Sequence, residues 1–387
     1  MTKTTHISRA ALVALSSLVA LCGWMGPAGA QEDGAKEMPP LEVSAGAWAV
    51  TDLRSGELLA GSGASERLPM ASTTKIMGAL VALETDLTDE VVVSEDAAAF
   101  AVPAYSNVGL APGDRLSARE LLMASMISSG DDAAYALAEH IGGGDAGKFV
   151  GMMNERAAEM GLEDTHFEDA VGFDVRGHRT SAKDLATMTR AAMQNPEFRE
   201  MVSTRYATIT TLYREIPLTN TNETLFAYPP ATGVKTGTTP AAGPCLVVSA
   251  ASGDESYAFV VLDAREERFA ASIRALEHAF AAYDRADLVV RDQKYAGAGV
   301  PYRRDRSIDL VAARDVEGLV DADPEVRREV SIAKNPPPSA RPGTRLGEVV
   351  VKVDGKVVGE SPLVAKRGYD EASLWERVWY TVGGVFA

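Results

Sequence analysis

Between residues 45 and 60, two short β-type runs, Ala47-Trp48-Ala49-Val50-Thr51-Asp52 and Glu57-Leu58-Leu59-Ala60, flank Arg54-Ser55-Gly56 and predict a hairpin that opens a sheet. The spacing then changes. From Pro69 to Glu84 the apolar positions Ile76, Met77, Leu80, Val81 and Leu83 form the stripe of a helix entered from a proline turn. The next segment holds Val91-Val92-Val93 and Pro112-Gly113-Asp114 and reads as irregular crossings with short strands. Helical spacing dominates residues 117–127, 131–141 and 146–160, punctuated by Ser128-Ser129-Gly130 and Gly142-Gly143-Gly144. A further helix over 181–194 starts behind a Thr180 or Ser181 cap. Tyr206-Ala207-Thr208-Ile209-Thr210, Gly233-Val234-Lys235-Thr236-Gly237, Cys245-Leu246-Val247-Val248-Ser249-Ala250 and Tyr257-Ala258-Phe259-Val260-Val261-Leu262 read as strands, and 269–283 as a closing helix. Strands early, helices in the middle and strands late describe a sheet that the chain leaves, through a helical subdomain, and re-enters.

Beyond about residue 284 β-branched runs take over: Asp287-Leu288-Val289-Val290, Ser307-Ile308-Asp309-Leu310-Val311, Glu329-Val330-Ser331-Ile332 and Glu348-Val349-Val350-Val351-Lys352-Val353. Asp354-Gly355 before Lys356-Val357-Val358 is a hairpin signal, and residues 284–368 are expected to form a small all-β domain. Asn335-Pro336-Pro337-Pro338 and Arg341-Pro342-Gly343 are loops inside it. In 369–387, Leu374, Trp375, Val378, Trp379, Val382, Val385 and Phe386 recur at helical spacing. That amphipathic helix is too short to span a bilayer and reads equally as docked on the domain or lying in a membrane interface.

Composition narrows the setting. A chain of 387 residues suggests two or three compact units. With 54 acidic against 38 basic residues, a formal charge of −16, a nucleic-acid partner is disfavoured. Residues 1–30 read as a secretory signal peptide: Lys3, His6 and Arg9, an apolar core from Ala10 to Leu21, and Ala28-Gly29-Ala30 before Gln31. Gly23, Gly26 and Pro27 break the run that a membrane anchor would need, and bulky Leu21 argues against a lipoprotein site at Cys22. Residues 31–44 form a short leader. An exported, extracytoplasmic protein is expected, with Cys245 its single cysteine and no internal disulfide.

The chemistry centres on Ser72-Thr73-Thr74-Lys75. Residues i and i+3 share a helix face, so the Lys75 amine can reach the Ser72 hydroxyl and act on its proton, provided burial lowers the lysine pKa. Taken alone, a serine at a helix start is more often a cap. Order changes that weighting: Ser129-Gly130-Asp131 follows in a loop between helices, then Lys235-Thr236-Gly237 in a strand, with Thr238-Thr239 after it. S-x-x-K, S-D-N-like and K-T-G elements in this order mark penicillin-binding proteins and class A β-lactamases. A second hydroxyl can pass a proton to a leaving amine. Lysine and threonine on an edge strand can hold a carboxylate, glycine admits substrate to the backbone, and strand N–H groups can complete an oxyanion hole.

Arg67-Leu68-Pro69-Met70-Ala71-Ser72-Thr73-Thr74-Lys75-Ile76-Met77, Ser129-Gly130-Asp131-Asp132-Ala133, Asp164-Thr165-His166-Phe167 and Gly233-Val234-Lys235-Thr236-Gly237 closely resemble the serine D-alanyl-D-alanine carboxypeptidases, the low-molecular-mass penicillin-binding proteins of peptidase family S11. The likeness covers about residues 45–283; the β-rich region and amphipathic C-terminus look like that family's usual tail. It implies a penicillin-binding protein/β-lactamase-like fold of α/β (α+β) class, an antiparallel sheet flanked by helices with a helical subdomain. It also implies an acyl-enzyme that removes the terminal D-alanine from peptidoglycan stem peptides, binds β-lactams and needs no cofactor. By position, Ser72 is the nucleophile, Lys75 its base and Ser129 the proton relay. Asp131, Lys235, Thr236, Gly237 and Thr238 belong to the substrate wall, Lys235 and Thr236 hold the substrate carboxylate, and the N–H groups of Ser72 and Thr238 form the oxyanion hole.

Asp131 departs from the family's asparagine. An ionised carboxylate only accepts hydrogen bonds and favours a charged Lys75, the wrong form for a base. Three outcomes are open: activity with Asp131 protonated or turned away, slower activity with a shifted pH optimum, or conversion to a binding protein. His166 and His178 lie near Asp164, Asp169 and Asp174, but their spacing supports no metal site. Glu163 or Glu168 is the candidate deacylating base of the alternative, a serine β-lactamase. Lys366-Arg367 reads as a solvated turn, with an anionic membrane contact as the alternative.

Overall fold

The computed structural model describes residues 41–321 and 324–382. The signal peptide, the leader as far as Pro40, and Val385 and Phe386 of the C-terminal stripe lie outside the described residues. Two compact units are present, one running from Pro39 to Ala281 and one built from Ala282 onward.

The first unit is organised by a five-stranded antiparallel sheet whose spatial order is Leu58–Ser62, Ala45–Asp52, Glu255–Ala264, Gly243–Ser252, Ala231–Thr239. The strands that open the sheet therefore pair with those that close it, and the helices lie between them in sequence. The middles of the inner strands are apolar on both faces because both are covered: Leu246, Val247 and Val248 are fully buried, as are Phe259, Val260, Val261 and Leu262. The helix Ala182–Gln194, capped by Ser181 Oγ accepting from Asp184 N, packs on Ala45–Asp52 and Glu255–Ala264. Ala231–Thr239 is left as an edge, so one rank of its backbone groups is unpaired by the sheet and open to an extended ligand.

The expected helix from Ser72 onward divides. Ala71–Thr74 is a 3₁₀ turn, and the α-helix begins at Lys75 and ends at Ala82. Thr73 Oγ1 donates to Met70 O at 2.6 Å and Thr74 Oγ1 to Ala71 O at 2.8 Å, three residues back, which fits the tighter i→i+3 geometry. Every residue of Lys75–Ala82 is buried, not one stripe only, because four helices of the unit pack around it. Burying Ile76, Met77 and Leu80 contributes roughly 1.5–3 kcal/mol each.

In the second unit Lys294–Val300, Arg303–Ala312, Lys356–Ala365, Arg345–Val353 and Val326–Ile332 make a five-stranded sheet in that order, and Asp284–Val289 pairs with Val316–Val320. Its core includes Val289, Leu310, Val349, Val351 and Leu363. The Asp354-Gly355 turn has both residues at positive φ (50° and 79°), as a two-residue hairpin requires. Arg303 ties the C-terminal helix Leu374–Val382 to the strand beneath it through Glu376, at 2.9 Å. Leu374, Trp375 and Trp379 remain about four-fifths exposed. No helix among the described residues is long and apolar enough to cross a membrane.

Candidate active site

Three segments far apart in sequence meet over the N-terminus of the Lys75–Ala82 helix. Lys75 Nζ, only 1% exposed, donates to Ser72 Oγ at 2.9 Å, to Asp131 Oδ1 at 2.6 Å and to Val171 O at 2.9 Å. Three donations in three directions are the full complement of an ammonium. Ser72 makes no capping hydrogen bond, so the reading of this serine as a helix cap fails here. Asp131 faces Lys75 and is not turned away. It opens the helix Asp131–Ile141, where the helix N-terminus also favours an anion, and its own N–H bonds to Ser106 O at 2.7 Å. Asp132 supports the loop across from it by accepting from Val108 N and Leu110 N. Of the two, Asp131 is the one that sits against the candidate base.

Ser129 is buried with φ near 60°, a left-handed conformation unusual for serine, in the loop between the helices Ala118–Ile127 and Asp131–Ile141. That loop is anchored from outside by Ser128 Oγ, which donates to Thr219 O and accepts from Thr219 N, both at 3.2 Å.

On the edge strand, Gly237 lies against the serine turn so closely that a Cβ there would sit 2.9 Å from Ser72 N and 3.0 Å from Ala71 Cβ. This contact brings the N–H side of Ser72 against the edge strand at Gly237. Thr236 Oγ1 is hydrogen-bonded to Thr221 Oγ1 at 2.6 Å, and Lys235 Nζ, buried, donates to Thr236 O at 3.1 Å. Burial, reinforced by repulsion from Lys75 and Arg268 against attraction to Asp131, holds Lys235 well below the ordinary lysine pKa. Sequence reasoning missed Arg268. It opens the helix Arg268–Ala282 and donates from Nη1 to Gly237 O and Thr238 Oγ1 at 2.8 Å and to Cys245 O at 3.2 Å, bracing the strand end. Burial lowers its guanidinium from the usual value.

A second element invisible in the motifs is the loop 169–174. Asp169 Oδ1 accepts from the N–H groups of Val171, Gly172 and Phe173, which turns the Val171 carbonyl toward Lys75. Asp174 then accepts from Thr239 Oγ1 at 2.5 Å and Ala241 N at 3.0 Å, joining this loop to the edge-strand end. Gly172 has φ 105°, and a Cβ there would lie 2.0 Å from Ala71 O. Gly172→Ala is therefore expected to push the serine turn away, lowering stability by roughly 2–4 kcal/mol and labelling by a fluorescent penicillin at least about tenfold. Wild-type labelling and melting temperature in that variant would show that the loop does not set the turn.

None of the remaining candidates is hydrogen-bonded to Ser72 or Lys75. Glu163 and Glu168 are exposed, and Glu168 Oε1 is 3.3 Å from His166 Nε2 at the surface. His178 is buried, bonded to Thr74 Oγ1.

A serine held by a buried lysine beside an open sheet edge defines a serine acyl-transfer hydrolase of the penicillin-binding fold. Residues 33–266 match the sequence model of the D-alanyl-D-alanine carboxypeptidases, peptidase S11. The chain is 32% identical over 367 residues to the D-alanyl-D-alanine carboxypeptidase DacF of Bacillus subtilis, which covers 92% of this chain and 93% of the relative. It is 31% identical over 353 residues to DacC of Escherichia coli, covering 87% of each. Penicillin binding protein 5 from Haemophilus influenzae aligns with a TM-score of 0.70 at 26% identity, over 86% of this chain and 100% of that one. The chain belongs to the S11 D-alanyl-D-alanine carboxypeptidase family, and it is a serine peptidase of the penicillin-binding class.

Proposed function

We propose that Ser72 is the acylated nucleophile of a D-Ala-D-Ala carboxypeptidase acting on peptidoglycan stem peptides. The single observation that carries this assignment is Lys75 Nζ, bonded at once to Ser72 Oγ and Asp131 beside the strand of Lys235 and Thr236. An ammonium has no lone pair for the serine proton. Acylation therefore runs through the neutral amine of Lys75, which takes the Ser72 proton as Oγ attacks the carbonyl of the penultimate D-alanine. The oxyanion is held by the N–H groups of Ser72 and Thr238, and Lys235 and Thr236 receive the terminal carboxylate. Cleavage of the C–N bond follows as Ser129 passes a proton to the leaving amine, and water then releases the acyl group through the same base.

Incubation with a fluorescent penicillin, then with a pentapeptide ending in D-Ala-D-Ala, tests this reading. Labelling at Ser72 with release of D-alanine supports it; rapid hydrolysis of the β-lactam would sink it in favour of a β-lactamase. Asp131→Asn is expected to keep or raise the labelling rate, because lysine is no longer held as an ammonium by an anion. Complete loss of labelling in that variant would show that the carboxylate itself is required.

A signal-peptide role for residues 1–30 supports an activity outside the cytoplasm, where peptidoglycan lies. The exposed Leu374, Trp375 and Trp379 face supports a peripheral membrane contact. Chain lacking residues 370–387 is expected to lose binding to vesicles of mixed neutral and anionic phospholipid that full-length protein retains; equal partitioning of the two removes the helix from that role.

A further inference from the structure

We propose that His178 is a positioning residue for Ser72 and Lys75, its neutral, Nε2-protonated ring tying the serine turn to the loop 168–173 and releasing both when it takes a proton. The inference rests on the acyl-enzyme reading of Ser72. Side-chain accessibility of His178 is 1%, and its two ring nitrogens have different partners. Nδ1 accepts from the backbone N–H of Glu168 at 3.1 Å, so the ring proton is on Nε2, which faces Thr74 Oγ1 at 2.7 Å. Thr74 passes the contact on by donating to Ala71 O, the carbonyl at the start of the 3₁₀ turn that presents Ser72.

The ring thus grips the nucleophile segment on one side and the loop on the other, and that loop supplies the Val171 carbonyl to Lys75. A proton on Nδ1 would set two donors, Nδ1–H and Glu168 N–H, against each other. It would also draw on Asp169 Oδ2, 3.4 Å away, whose carboxylate otherwise holds the N–H groups of residues 171–173. Both the Ser72 turn and the Lys75 acceptor would lose their support together.

The titratable groups facing the ring are Asp169, Glu168, Asp174 and His166, and Phe167 packs edge-on with centroids 5.9 Å apart. From the serine turn it meets only the Thr74 hydroxyl, and the Lys75 ammonium points to Ser72, Asp131 and Val171. Burial outweighs the carboxylates and holds the imidazole below its ordinary pKa of 6.5. The neutral form is therefore kept at neutral pH, and the contact is lost as pH falls below the usual histidine range.

The test is the rate of labelling by a fluorescent penicillin from about pH 4.5 to 8 in wild type and two full-length variants. Glutamine can donate to Thr74 without titrating. His178→Gln is expected to stay within about threefold of wild type at neutral pH while losing the acid limb, and His178→Phe to fall about tenfold or more throughout. Persistence of the acid limb in His178→Gln, or wild-type rates in His178→Phe, overturns the proposal. Ring ¹⁵N NMR of wild type needs no variant: an Nε2-protonated tautomer titrating together with the acid limb supports it, and an Nδ1-protonated tautomer or a separate midpoint overturns it. Absence of labelling at every pH would instead bring down the acyl-enzyme reading, with the tautomer and its titration still deciding the His178 contact.

Discussion

Lys75→Ala is expected to abolish acylation, lowering the rate of penicillin labelling by at least about 10³-fold, and to destabilise the protein as well. The two losses have different origins. Activity is lost because no other base is hydrogen-bonded to Ser72 among the described residues. Stability is lost because Asp131, 5% exposed, is left as a buried anion without its cation, a defect that costs about 3–5 kcal/mol in comparable buried pairs. The N-terminus of the Asp131–Ile141 helix offsets about 1 kcal/mol of that. Lys75→Ala combined with Asp131→Asn removes both charges, so the double variant should melt above the single lysine variant while remaining unlabelled. Thermal unfolding beside labelling separates the effects. A single variant as stable as wild type, or a double variant that regains acylation, would show that the pair does not act as described.

This coupling was half legible in the sequence. Ser72 and Lys75 are three residues apart and had to share a face; the order of Ser129-Gly130-Asp131 and Lys235-Thr236-Gly237 named the walls of the cleft. The local sequence also announced the helix at Ala118–Ile127, since Ser117 and Glu120 form a reciprocal capping box. The direction of the Asp131 side chain was hidden, because the same residue can cap its helix, face substrate or meet Lys75, and only packing around the central helix brings it to Lys75. Val171 and Gly172 were missed for a related reason: one contributes a carbonyl and the other the absence of a Cβ, and neither has a side-chain signature. Arg268 depends on a strand order in which the closing helix returns beside the edge. Among the plainer omissions, Asn195-Pro196 is a helix start, with Asn195 Oδ1 accepting from Glu197 N and Phe198 N and proline at the first position. Lys294–Val300 is a strand whose small residues, Ala296, Gly297, Ala298 and Gly299, carry little β pattern.

Lys235 bears a burial cost that a bound carboxylate would offset. Nζ is buried, and among the described residues no carboxylate lies within ion-pair distance of it, Asp131 being engaged by Lys75. Its pKa is held well below the ordinary 10.5, so the folded protein releases this proton at lower pH than the unfolded chain does. Over that interval the unfolded chain binds more protons, and stability must rise with pH. Lys235→Met removes the penalty: the variant is expected to melt above wild type at neutral pH, by a margin that shrinks as pH climbs toward 10.5. If, as proposed, the terminal carboxylate of the substrate supplies the missing counter-charge, the same variant should lose about 10²- to 10³-fold in kcat/KM on a pentapeptide acid. A C-terminally amidated peptide carries no such charge, and on it wild type and variant should differ little. Equal losses on acid and amide, or a variant that melts below wild type at every pH, would mean that Lys235 holds the strand and not the ligand.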